Sequence, residues 1–137
     1  MQARAALKLN PRSANAYNNL AAALGVQRQL GAATDAYRSA LSLQPADGML
    51  YFRLGSVEAQ QGEAARGRAL QSLRHAARML PAFAQAYFNL GRVHAAAGDE
   101  GQAKAEAQFR VAHALDPVAM EARGIRVEEE RAGVDDA

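Results

Sequence analysis

Three histidines, His75, His94 and His113, are the side chains with which this sequence could hold a metal or move a proton near neutral pH. Their spacing is not that of metal ligands, and the chain has no cysteine to complete a site. They read as structural residues, so no metal site is assigned. No Ser–His–Asp signature, phosphate-cradling glycine loop or paired-carboxylate arrangement is present. No catalytic residue and no cofactor is therefore assigned, and the segment reads as non-catalytic. What remains is recognition chemistry. A side-chain amide donates to a carbonyl and accepts from an N–H, which suits the backbone of a peptide. Arginine favours acidic ligands. An aromatic ring off the core offers apolar contact. Such residues form a site only if the elements carrying them bring them to one face.

Composition narrows the choice of elements. The chain has 137 residues, the size of one domain, and half of them are hydrophobic. Much of that half is alanine and only 6% of residues are aromatic. Alanine favours helix and close helix approach but fills little volume, so a thin core between stacked helices is expected. Net charge is +2, from 16 basic and 14 acidic residues, and the arginines are scattered. This balance argues against nucleic acid and against an anionic membrane as partners. No apolar run approaches the roughly 20 residues of a membrane span. The N-terminal stretch has no signal-peptide core, and the expected location is cytoplasmic.

A repeat then organises the chain. The four prolines, Pro11, Pro45, Pro81 and Pro117, are 34, 36 and 36 residues apart. Tyr17, Tyr51 and Tyr87 keep the same rhythm, each followed by a leucine (Leu20, Leu54, Leu90) and a small residue (Ala21, Gly55, Gly91). Before each later proline stand Ala33, Tyr37 and Ala40, then Ala69, Leu73 and Ala76, then Ala105, Phe109 and Ala112. At about 100° per residue, offsets of three, four and seven share one face of a helix. The two sets are thus facing stripes on paired helices, with small residues opposite large ones. Each proline closes the second helix, and Ser13 and Asp47 are the expected N-caps of the next.

These residues resemble the tetratricopeptide repeat, over Ala3 to Pro117. The resemblance implies an all-α helical-hairpin solenoid with three full repeats, 13–45, 47–81 and 82–117. A half repeat over 2–11 precedes them, and a polar capping helix over 118–131 and a frayed tail over 132–137 follow. A first helix is missing before the half repeat, which predicts that the chain is cut from a longer array. The later repeats have 36 residues against a typical 34. Two extra residues would turn a helix by about 200°, so they must lie between the stripes, around Gly62–Gly67 and Gly98–Gly101. Arg28 stands where a turn glycine is expected, with Gly31 three residues later, which predicts a shifted first turn.

In this family the first helix of each hairpin lines a concave face. Opposite the core stripe lie Asn15, Asn18, Ala22 and Val26, then Met49, Phe52, Ser56 and Gln60, then Gln85, Phe88, Arg92 and Ala96. Asn19, Arg53 and Asn89 sit at the edge. Phe52 and Phe88 each follow a core tyrosine, which predicts an exposed apolar ledge; packing against a neighbouring repeat is the bland alternative. Asn19 and Asn89 resemble the asparagine ladder of the O-linked N-acetylglucosamine transferase superhelix, interrupted by Arg53. A carboxylate clamp is not complete, because Met49 replaces its lysine. His94 takes a core position that the family usually gives to tyrosine. The expected peptide-binding set is Asn15, Asn18, Asn19, Met49, Phe52, Arg53, Gln85, Phe88, Asn89 and Arg92, and the expected function is a protein-interaction scaffold for an extended peptide or partner helix. Two alternatives come from other classes. One is a substrate-recruiting segment of a larger enzyme such as a glycosyltransferase. The other is a module that self-associates through exposed terminal helices.

Overall fold

A computed structural model describes residues 13–127. Among these residues the chain forms seven α-helices and two short 3-10 turns, with no strand. The helices are α1 Ala14–Val26, α2 Leu30–Leu43, α3 Gly48–Gln60, α4 Arg66–Met79, α5 Ala84–Ala95, α6 Gln102–Leu115 and α7 Pro117–Ala122. The half repeat over 2–11, the end of the expected capping helix and the tail over 132–137 lie outside the described residues.

Local chemistry sets the boundaries. Ser13 Oγ accepts from the Ala16 amide at 3.1 Å, and Asp47 Oδ1 accepts from Met49 and Leu50 at 3.0 and 3.3 Å, capping α1 and α3. Helices α2, α4 and α6 each stop two residues before a proline, as the missing amide requires. Pro117 also opens α7 at its first turn, where that amide has no partner to lose.

Consecutive helices pair into three hairpins, α1 with α2, α3 with α4 and α5 with α6, and the second helix of each packs on the first helix of the next. The architecture is an all-α solenoid. Tyr37, Leu54 and Leu24 fill the core between the first two hairpins, and Leu73, Leu90 and Val93 fill it between the second and third. The small residue after each leucine is a socket. A β-carbon on Gly55 would lie 2.7 Å from Leu73 Cγ, and one on Gly91 would run into the Phe109 ring. Ala21 holds the same place opposite Tyr37 in the first hairpin, with no exposed surface.

The two extra residues lie in the turns, as the stripe spacing requires. Glu63–Ala65 and Gly98–Gly101 form the 3-10 segments that lengthen the second and third hairpins. The first turn is not shifted. Arg28 holds φ +62° at the place where Gly62 and Gly98 hold +85° and +78°. Gly31 lies inside α2 instead. A left-handed residue is needed there to leave the helix, and Arg28 adopts it at a cost of about 1–3 kcal/mol relative to glycine.

The expected capping helix over 118–131 also needs correction. It ends at Ala122. Gly124 turns left-handed at φ +83°, and the Ile125 amide returns to the Met120 carbonyl at 2.9 Å. This is a Schellman-type stop. Ile125 then packs with Met120 and Phe88 instead of continuing a helix.

Candidate binding groove

The first helices α1, α3 and α5 present neighbouring faces, and two polar bridges join them. Arg53 Nη1 donates to Asn18 Oδ1 at 2.8 Å, linking α3 to α1. Asn89 Nδ2 donates to Ser56 Oγ at 3.0 Å, linking α5 to α3, while Ser56 Oγ donates to the Phe52 carbonyl at 2.8 Å. All four bridging side chains are partly buried. Asn15, Asn19, Gln85 and Arg92 are exposed, and Met49 is partly buried. The bridge to Arg53 comes from Asn18, one residue before the expected ladder position Asn19.

Phe52 and Phe88 do not form an exposed ledge. Phe52 meets the edge of Phe83, just ahead of α5, with ring centres 4.8 Å apart. Phe88 lies 5.9 Å from Phe109 and packs with Met120 and Ile125. The Arg92 and Arg123 guanidiniums lie over the Phe88 ring, 5.8 and 5.1 Å from its centre. Each ring is partly buried because the solenoid brings a neighbouring element against it; an aromatic at this distance is more stable packed than hydrated. Both rings keep part of their surface exposed.

Sequence reasoning missed a pocket of about 440 Å³ between α3 and α5. Its walls are Ser56, Ala59 and Gln60 from α3, Gly62 and Glu63 from the following turn, Arg66 from the start of α4, and Asn89, Arg92 and Val93 from α5 with Ala96 just after it, with Arg28 reaching in from the first hairpin. Arg28 Nη1 donates to Gln60 Oε1 at 3.3 Å, and Arg66 Nη2 donates to the Ala96 carbonyl at 3.1 Å. One signal was available: an arginine in a repeat register where the other two turns have glycine.

The histidines are occupied separately. His75 stacks on Tyr51 with centres 5.0 Å apart, and His113 contacts Glu121 Oε1 at 3.2 Å. His94 is buried, and burial pushes its pKa below the usual histidine value, with Arg74 and Lys104 adding in the same direction. No group of three potential metal ligands occurs among the described residues. None of the described helices is long and apolar enough to cross a membrane.

No protein-family model matches the chain, and no curated protein matches it. Solved structures do share its fold. A crystal structure of MamA superposes with a TM-score of 0.77 at 21% identity, covering 90% of this chain and 76% of that one. A second, of MamA protein, gives 0.73 at 23% identity, covering 90% of this chain and 64% of its own. At these identities the likeness is one of fold, and it supports the helical-repeat architecture.

Proposed function

We propose that this chain is a tetratricopeptide-repeat module that binds an extended peptide or partner helix along the face shared by α1, α3 and α5. One observation carries this reading. The bridges Asn18–Arg53 and Ser56–Asn89 place a row of partly buried hydrogen-bonding groups along three successive first helices. Exposed Asn15, Asn19, Gln85 and Arg92 border that row. Such a row matches the regular donors and acceptors of an extended backbone. Met49 and the rims of Phe52 and Phe88 supply the apolar part of the contact. The groove is the concave side of the solenoid, and the chain acts there as a scaffold rather than as a catalyst.

Because Phe52 and Phe88 are packed, truncating them would disturb the fold, and the exposed residues make the cleaner test. A peptide selected from a random library on this chain should perturb the amide resonances of α1, α3 and α5. Gln85→Ala combined with Asn19→Ala should weaken it several-fold while leaving thermal stability unchanged. Perturbations confined to the outer faces of α2, α4 and α6, or full affinity in the double variant, would sink the groove reading.

Self-association draws on a different observation. Val111, Leu115 and Val118 are 40%, 40% and 80% exposed near the α6–α7 corner. Sedimentation over a hundredfold concentration range, with and without Val118→Asp, reads this directly. A single concentration-independent species would remove it.

A further inference from the structure

We infer that the pocket between α3 and α5 anchors a carboxylate of the bound peptide through Arg28 and Arg66, with Arg92 adding positive charge at its wall, an inference that rests on the groove reading above. Charge is the first ground. Three arginines and one acid, Glu63, line the pocket, so three minus one leaves a net +2 around it. Among the described residues, none of these three arginines is in an ion pair. Among the described residues, the arginines in ion pairs are Arg38 and Arg68, which serve Asp35 and Glu58 elsewhere.

Geometry is the second ground. Arg28 and Arg66 are each tethered by one hydrogen bond, to Gln60 and to the Ala96 carbonyl. A guanidinium has five N–H donors in a planar fork, so both heads keep donors for a ligand. A carboxylate accepts two parallel N–H bonds from such a fork. Asn89 and Ser56 continue the polar lining toward the groove, while Ala59 and Val93 provide apolar wall for the methylenes of an acidic side chain.

Backbone strain is the third ground. Arg28 is the one non-glycine residue with positive φ among the described residues, in a position where the other hairpins use Gly62 and Gly98. Folding alone would favour glycine there. The arginine places a guanidinium on the pocket at a conformational cost, which is the pattern of strain retained at a binding site.

The test uses fluorescence anisotropy with labelled alanine–serine octapeptides: one with two internal glutamates and an amidated end, its glutamine and phosphoserine counterparts, and the glutamine peptide with a free C-terminus. The glutamate or the free-terminus peptide should bind about tenfold or more tightly than the amidated glutamine peptide. Which of the two gains tells a side-chain carboxylate from a chain end. Arg28→Gly and Arg66→Gln should each remove most of that advantage, and added salt should weaken it. Arg28→Gly should also melt at a higher temperature than the parent, separating lost binding from lost folding. Equal affinity for all the peptides, an advantage untouched by both variants, or a clear preference for phosphoserine would overturn the assignment. Free glutarate reads the pocket without the groove. Shifts of the Arg28 and Arg66 Nε–Hε resonances with no peptide binding would uphold the pocket and discard the groove. A silent titration would discard the pocket.

Discussion

Leu24, Glu58 and His94 fall seven residues after the three repeat tyrosines, and all three are buried, at 3%, 1% and 7% exposure. One core position therefore takes an alkyl chain, an acid and a base in successive hairpins. Glu58 is tolerated because Ser72 Oγ donates to it at 2.6 Å and Arg38 and Arg68 approach at 3.4 and 3.8 Å. Those arginines are about half exposed, so water weakens both pairs. Removing a partner and removing the acid should then differ in sign. Arg38→Ala leaves a buried carboxylate short of a donor and should cost about 1–3 kcal/mol. Glu58→Leu copies the first hairpin and should be neutral or stabilising by up to about 2 kcal/mol. Urea midpoints at unchanged slope would measure both. His94 makes a pH prediction. Its folded pKa lies below the unfolded value of about 6.5, so the unfolded chain binds the proton more readily. The stabilising effect of the neutral ring is complete above that pH and is lost as pH falls through the lowered folded pKa. His94→Leu should flatten the fall in urea midpoint between about pH 7.5 and pH 5.

Helices pair here because each first helix carries a socket and each second helix carries the knob. Gly91→Ala would push a methyl group into the Phe109 ring and should cost about 1–3 kcal/mol by thermal unfolding. Ala22→Gly on exposed surface of α1 should cost only the helix-propensity difference of about 1 kcal/mol. The stripes and sockets were legible in the sequence, because spacing counted from the tyrosine and from the proline agreed in every hairpin. That agreement also put the two extra residues in the turns. Two elements misled. At Arg28 the reading followed backbone preference, whereas the packed hairpin on either side holds the arginine in the glycine conformation. At α7 an acidic run suggested a longer polar helix, and the single Gly124 outweighed it because Ile125 gains a place against Met120.

At the scale of the whole molecule, order is built from neighbours. Each hairpin touches the next through its second helix, so stability accumulates along the array. The last element, α7, contributes one fully buried side chain, Met120. Met120→Ala should therefore release α7 to rapid amide exchange and leave protection in α1–α4 near the parent level. The repeat was visible in one dimension, but the pocket was not. Arg28 and Arg92 are two hairpins apart, and only the stacking of the solenoid brings them to one cavity. The bridges Asn18–Arg53 and Ser56–Asn89 have a mechanical meaning as well. In the proposed groove they are both the surface offered to a ligand and the ties between adjacent hairpins. A peptide that takes over one of those hydrogen bonds slackens a tie as it docks. Occupancy of the groove and the pitch of the solenoid are then a single variable, and stretching the array should loosen its grip.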